Sequence, residues 1–467
     1  MTRSHGLRSR LGARLAQAFR NYCGGRAGNV APIIALMVVP MVGAIGMATE
    51  VSNWFLTNRS AQNAADSAVI AAATAAANNS SSDYSAEGQT VATQYGFTNG
   101  ANAATVSVVG GVTCPDGTTS CYQATVTKTL PLYMTAIVGY KGTTTLNGNP
   151  ATLVKASAIA EIKNETTPDC IVALDPKKNA IALHTNGAPK SDLAGCVAQT
   201  NSSANCNGHN LGLAAIIGPG AAGSGCGNEQ FTGPAIADPY ASLANNIPAT
   251  PAACSNAATL PQESAGTQDK VSGTNPWSGP GPICGDQQLT GNVTLTSNQT
   301  IIIYNGMLDL NGYTLTTASG VGVTFVFSGT NTVGSVTPYH IFTDNSSAGK
   351  GVLDVSSPTS GTWSGVAIYQ DPNLADTKIG KNYSLDITQA GSAPTLDLSG
   401  LVYLPNSNVT VSGAIDQASN GFSCFTMVVY TVLINGNGSI FKNPQTGCGS
   451  QGLNQATSTI PYAFLVS

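Results

Sequence analysis

Four short stretches place an aspartate between aliphatic neighbours: Leu308-Asp309-Leu310, Leu353-Asp354-Val355, Leu385-Asp386-Ile387 and Leu396-Asp397-Leu398. Successive side chains of an extended chain point to opposite faces, so each aliphatic pair turns inward and each carboxylate outward. Aligned outward carboxylates could hold calcium or work as a paired acid and base. Outward strand positions are ordinarily polar, and the four are unevenly spaced, so solvated surface is the expectation. His184, His209 and His340 stand without Cys or Asp at metal-ligand spacing. No Gly-x-Ser-x-Gly elbow occurs. A polysaccharide lyase would need a basic residue beside its calcium carboxylates. The C-terminal body has no arginine, and its Lys350, Lys378, Lys381 and Lys442 lie in turn-like sequence. Trp277, Trp363 and Tyr369 could stack on sugars, but such aromatics are more often simple packing or rim residues. The expectation is therefore no catalytic residue, no cofactor and no metal site.

The cysteines are a second set with chemistry of their own. Cys23 precedes the apolar run described below. Cys114, Cys121, Cys170, Cys196, Cys206, Cys226, Cys254, Cys284, Cys424 and Cys448 follow it. An even external set without any CxxC pair suits disulfides in an oxidising compartment rather than zinc or a redox pair. Nearest-neighbour pairing is the simplest arrangement, with Cys114–Cys121 and Cys424–Cys448 its safest members.

The elements that carry these residues begin with a basic foot. Residues 1–27 hold Arg3, Arg8, Arg10, Arg14, Arg20 and Arg26 and no acidic residue. Residues 28–49 are almost wholly apolar, long enough as a helix to cross about 30 Å of hydrocarbon. Clustered arginine beside a span is retained in the cytoplasm, so the rest of the chain should lie outside it. A cleaved signal peptide would have a shorter apolar core and a small-x-small site, so an uncleaved anchor is favoured. Pro32 and Pro40 read as kinks of a membrane helix. Beyond Arg59 the chain has no arginine, and acidic residues outnumber lysines, which argues against nucleic-acid binding. Charged residues are only 9% of the whole, against about 25% in an ordinary globular domain.

Helix-forming sequence continues through residues 50–78, rich in alanine and free of Pro and Gly. Val51, Phe55, Gln62, Ala65, Asp66, Ala68 and Ala72 mark a predicted interaction face, its apolar members recurring at helical steps. Small residues permit close approach of another helix, either in the body of this chain or in a neighbouring membrane-anchored subunit. Arg26-Ala-Gly-Asn-Val-Ala, the span with Pro40 and Gly46, and Arg59-Ser-Ala-Gln-Asn-Ala-Ala-Asp-Ser-Ala-Val-Ile-Ala-Ala-Ala73 together resemble the N-terminal segment of TadG-like proteins of the bacterial Tad/Flp pilus-assembly group. The resemblance covers about residues 20–77. It implies a single-pass inner-membrane protein that anchors or assists pilus assembly beside other membrane-anchored assembly proteins or pseudopilins. Glu50 stands where Asp is commoner in the family. No glutamate lies five residues after Gly25 or Gly28, so prepilin cleavage is not supported. Asp354-Val-Ser-Ser-Pro fails the Asp-x-Ser-x-Ser metal motif of the von Willebrand A-type domain that some TadG-like proteins carry.

Residues 79–166 read as a small α+β module, with alternating strands near 105–109, 122–127 and 151–162 and a helical patch at 132–138. Residues 167–467 read as a right-handed parallel β-helix-like solenoid. Short alternating strands recur through Val293-Thr-Leu-Thr, Ile301-Ile-Ile-Tyr and Val321–Phe327, separated by Asn-Gly and Ser-Gly turns. A Gly/Pro-rich stretch at about 218–283 reads as an inserted loop. From Cys170-Ile-Val-Ala-Leu-Asp-Pro onward the body is similar to the β-helical part of some TadG-like proteins. The fold class expected is mainly β. The function expected is a non-enzymatic, membrane-anchored part of pilus assembly, with its body in the periplasm. A β-helical adhesin or polysaccharide-binding protein is the alternative, and a polysaccharide-acting enzyme stands behind it.

Overall fold

The structure is a computed structural model that describes residues 30–78, 83–137, 139–177, 180–187, 191, 193–207, 211–219, 225–344, 351–374, 384–387, 394–416, 424–436, 439–440 and 447–466. It is mainly β, with one long N-terminal helix and many strands in parallel sheets. The chain forms two compact units, Met1–Lys163 with Tyr462–Ser467, and Asn164–Pro461.

The first unit is built on helix α1 (Val30–Asn78), 49 residues long with Pro40 inside it. Its composition changes along its length. Ile33, Leu36, Met41, Val42 and Ile45 are exposed, whereas Ala61, Ala64, Ala65, Ala68, Val69, Ala72 and Ala73 are fully buried. Alanine makes this close approach possible because no bulk stands between helix and sheet. The sheet comprises β1 (Ala104–Val112), β2 (Cys121–Pro131), β3 (Thr144–Leu146) and β4 (Asn149–Ala173), with antiparallel pairings β1–β2, β2–β4 and β3–β4. Ala104, Val106 and Val108 alternate inward on β1, and Ala156, Ala158 and Ala160 do so on β4, meeting the alanine face of α1 in one core. Helix α2 (Tyr84–Gln94) starts where Asp83 Oδ1 accepts from the Ala86 N–H at 3.0 Å. A short helix α3 (Met134–Ile137) follows β2.

In the second unit the distal end of β4 is followed by β5 (Ile181–Gly187), β6 (Val197–Thr200), β7 (Ser203–Cys206), β8 (Leu213–Gly218) and β9 (Gly227–Thr232). After residues 233–268 come β10 (Asp269–Thr274), β11 (Ile283–Cys284), β12 (Gln287–Leu295), β13 (Gln299–Tyr304), β14 (Leu308–Asp309), β15 (Thr314–Thr317) and β16 (Val323–Ser328). Then follow β17 (Phe342–Thr343), β18 (Val352–Ser356), β19 (Val366–Gln370), β20 (Ser384–Asp386), β21 (Pro394–Val411), β22 (Ala414–Asp416), β23 (Phe425–Gly436), β24 (Ser439–Ile440) and β25 (Thr457–Leu465).

One ladder runs β11–β13–β16–β19–β21–β23 and passes without a break into β4–β6–β8–β9, every pairing parallel. Its register lines up Ile301, Phe325, Ile368, Val402, Met427, Ile171, Ala198 and Ile216 as one buried apolar row. One residue further along, Ile302, Val326, Tyr369, Tyr403, Val428 and Val172 form a second row on the opposite face, in a separate cluster. A companion ladder aligns Val293, Leu315, Leu353, Leu396 and Ile415, all buried in the same core as the first row. The aliphatic members of the Leu-Asp-Leu strands thus point where alternation requires.

The Gly/Pro-rich stretch 218–283 is more than a loop, since its ends are β9, β10 and β11. Its middle is a strap. From β9 to β11 the ladder spans nine strand spacings, about 43 Å at about 4.8 Å each. Residues 233–268 cross it, with slack taken up by 3-10 turns at Ala241–Asn246, Ala252–Ser255 and Glu263–Ala265. The anchor points follow the ladder in order. Ile236 exchanges hydrogen bonds with the Asn201 side chain (2.8 and 2.9 Å), and the Tyr403 hydroxyl donates to Asp238. Tyr369 donates to the Tyr240 carbonyl at 3.0 Å, and Tyr304 to the Pro248 carbonyl at 3.3 Å. Asn305 Nδ2 donates to the Cys254 carbonyl at 2.9 Å. Finally Asp286 accepts from the Glu263 N–H at 2.8 Å. The strap covers the aromatic row, which is why that face is buried too.

Candidate functional site

The site is the segment of α1 from its exposed apolar part to Asp66, with the residues that hold it. The Leu36–Asn78 stretch is, among the described residues, the one helix long and apolar enough to cross a membrane. Where the apolar run ends, Glu50 turns to the loop after β2. Its Oε1 accepts from the Tyr133 N–H at 2.6 Å and from the Met134 N–H. Its Oε2 accepts from the Thr135 N–H at 2.9 Å and from the Thr135 hydroxyl. These are the free donors at the start of α3, and a carboxylate answers both their polarity and the helix dipole. Gly46 permits the approach, since a Cβ there would stand 2.8 Å from that of Met134. Trp54 and Tyr140 close the clamp, ring centroids 5.8 Å apart.

The predicted interaction face divides at this clamp. Val51 and Phe55 are exposed, at 51% and 67%. Ala65, Ala68 and Ala72 are at 0%, packed in the core that α1 shares with the unit's own sheet. Gln62 donates to Asp66 at 2.7 Å and to the Ser157 carbonyl on β4 at 3.3 Å. The alanines of the string are therefore occupied by this chain and have no surface to offer a second helix. Of the expected face, Val51 and Phe55 are exposed and Gln62 and Asp66 half-buried, whereas the three alanines are buried; Leu56, outside the expected face, is exposed beside Phe55.

The aspartates are not equivalent. Asp309 is 1% exposed, contrary to the outward expectation. The turn that follows its two-residue strand covers it, and it accepts from the Asn311 N–H at 2.9 Å and Gln288 Nε2 at 3.0 Å. Asp354 and Asp397 are register neighbours in adjacent parallel strands, an adjacency that chain spacing concealed. Asp354 accepts from the Thr316 hydroxyl at 3.0 Å. Asp386 is described in its strand only. Cys114, Asp116 and Glu161 lie close together, but the Cys114 sulfur is bonded to Cys121, and Glu161 pairs with Lys163 at 3.6 Å.

Among the histidines, His184 sits half-buried on β5, and His209 lies outside the described residues. His340 is 1% exposed with neither ring nitrogen hydrogen-bonded, and burial holds its pKa down at about 4. Lys350, Lys378, Lys381 and Lys442 also lie outside the described residues. Trp363 and Tyr369 are buried under the strap and offer no stacking platform. Trp277 lines a cleft of about 300 Å³ with Asp269, Lys270 and Gln287, its indole N–H donating to Gln287 Oε1 at 3.1 Å.

The ten cysteines after Cys23 are all paired, each with its nearest neighbour in sequence: Cys114–Cys121, Cys170–Cys196, Cys206–Cys226, Cys254–Cys284 and Cys424–Cys448. The Glu50 clamp was not legible in the sequence. The one hint was a lone acidic residue at the end of an apolar run.

No curated protein and no solved structure matches this chain. Residues 28–76, which include α1 from its start nearly to its end, match the family described as putative Flp pilus-assembly TadE/G-like.

Proposed function

We propose that this chain is a non-enzymatic, membrane-anchored structural or accessory protein of Tad/Flp pilus assembly. Its N-terminus is cytoplasmic, and its body is a right-handed β-helix-like solenoid in the periplasm. The observation that carries this reading is the coincidence of the family match at residues 28–76 with the helix that is long and apolar enough to span a membrane. Three further facts support it. The N-terminal arginines favour retention of that end in the cytoplasm. Five disulfides suit an oxidising compartment. Two parallel ladders sharing one apolar core are what stacked coils of a solenoid would give.

The test is affinity purification of the tagged chain from detergent-solubilised envelopes. Co-purification of pilus-assembly proteins is expected, with loss in a Phe55→Lys/Leu56→Lys variant that still inserts. Recovery of the chain with no pilus-assembly protein would sink the reading. A second reading, a polysaccharide-binding body, draws on the Trp277 cleft, where an indole held by Gln287 lies beside Asp269 and Lys270. Its test is retention on immobilised cell-envelope glycans, lost on Trp277→Ala.

A further inference from the structure

The loop clamped by Glu50 carries an apolar surface that the first unit leaves uncovered. Tyr133 is 70% exposed, Ile137 80%, Met134 45% and Tyr140 43%. These side chains stand beside α1 at Gly46–Trp54, at the end of its apolar run. On α1 the exposed apolar character continues past Glu50 through Val51, Phe55 and Leu56. From Ile33 to Leu56 a helix rises about 35 Å, which exceeds the hydrocarbon thickness by less than the depth of the headgroup layers. The loop therefore lies at the level of an interface.

Its polar groups are arranged as lipid contact requires. Irregular backbone persists beside hydrocarbon only where its N–H and C=O groups are paired. The Leu132 N–H donates to the Pro150 carbonyl at 3.1 Å, and those of residues 133–135 go to Glu50. Gly139 and Tyr140 donate to the carbonyls of Ala136 and Thr135, both at 3.1 Å. Glu50 in turn meets the interface with its charge fully hydrogen-bonded. Trp54, Tyr133 and Tyr140 supply the amphipathic rings that collect at headgroup depth, and exposed Lys141 follows as a cation for lipid phosphate.

We propose that residues 132–137 and 139–141 form a second, interfacial membrane contact. Tyr133, Met134 and Ile137 enter the acyl boundary of the outer leaflet, while Tyr140 and Lys141 meet phospholipid headgroups. The inference rests on the reading of α1 as the membrane anchor. It makes the anchor a helix with a side brace, fixing the depth at which the chain leaves the bilayer.

The experiment uses the full chain in phosphatidylethanolamine–phosphatidylglycerol vesicles, with the photo-crosslinker p-benzoylphenylalanine in place of Ile137 or, separately, of Leu36. Both positions are exposed, so neither substitution disturbs a core. Phospholipid adducts at both positions are expected. A lipid adduct at Leu36 with none at Ile137, or a protein adduct at Ile137, overturns the brace and leaves the anchor standing. Absence of lipid adducts at both positions removes the anchor as well.

Discussion

The Tyr403 hydroxyl, on the outer face of β21, hydrogen-bonds the Asp238 carboxylate of the strap at 2.6 Å. Tyr403 also stacks on Tyr369, centroids 4.4 Å apart, and meets Tyr240 edge-on. Burial, together with the neighbouring Asp238 charge, raises the phenol pKa well above its usual range, so Tyr403 stays a donor at every working pH. Burial likewise raises the pKa of Asp238, against the pull of its hydrogen bonds. Tyr403→Phe keeps the stack and takes the hydroxyl donor from Asp238 Oδ2, leaving the carboxylate its backbone N–H donors, so a loss of about 1–3 kcal/mol is expected in urea unfolding. An unchanged midpoint would mean that the strap is not held here.

Two buried titrating groups oppose one another. Burial raises the pKa of Asp169 to about 6, partly offset by the hydrogen bond from Ser458, and burial lowers that of His340 to about 4. Below pH 6.5 the unfolded histidine binds the proton that the folded one refuses, so stability falls with acid until about pH 4. The folded aspartic acid binds its proton first, so stability rises with acid from about pH 6 to 3.8. The slopes largely cancel. His340→Leu should therefore gain stability on acidification from pH 6 to 4, and Asp169→Asn should lose it, each by about 1.4 kcal/mol per pH unit at most. Parallel curves of urea midpoint against pH for both variants and the parent would rule this out.

The disulfides should differ in weight. Cys254–Cys284 closes 30 residues and pins the far end of the strap, whereas Cys114–Cys121 closes only 7. Loop entropy assigns them about 3.6 and about 2.4 kcal/mol. Cys254→Ser/Cys284→Ser should open residues 252–265 to protease before the ladder melts. Cleavage no faster than in the parent would show that the hydrogen bonds alone suffice.

Ala65→Lys should unfold the first unit, because that side chain has 0% exposure and its core has no room for a charge. Phe55→Lys, at an exposed position, should leave thermal unfolding within about 0.5 kcal/mol of the parent. Circular dichroism melts separate the two. Equal melts would mean that the alanine face is free after all.

Shortening Glu50 by one methylene, Glu50→Asp, should cost some of its four hydrogen bonds, and Glu50→Ala all of them. Amide exchange at Tyr133, Met134 and Thr135 should then quicken, roughly tenfold or more for the alanine variant. Unaltered exchange would place the clamp elsewhere.

Periodicity made much of this legible. The alanine run announced the helix, and Leu-x-Leu spacing announced which side chains of β18 and β21 face the core. Pairing across long separations was hidden, because Met427 beside Ile171 leaves no local pattern in either strand. Asp309 deceived for a related reason. Alternation gives the face of a side chain but not what lies over that face, and here a turn covers it. The strap was hidden too, since Tyr369 and Tyr403 read as ordinary strand aromatics until Asp238 and Tyr240 arrive above them. The exposed half of α1 was readable as a span, whereas Glu50 needed a partner 83 residues away.

The pairing of β23 with β4 and β5 has a consequence for the order of events in a growing chain. The strand that opens the body, Ile171–Ala173, takes as neighbour one of the last strands to be made, Met427–Val429. Until then that edge of β4 is an open template for any passing strand, the usual starting point of aggregation. Nor can the body close progressively from its beginning, because its middle strands come last. Folding of this chain therefore cannot be strictly sequential. A nascent body must be kept soluble until residue 436 has been made, and truncations ending before β23 should accumulate as aggregates rather than as shorter soluble bodies.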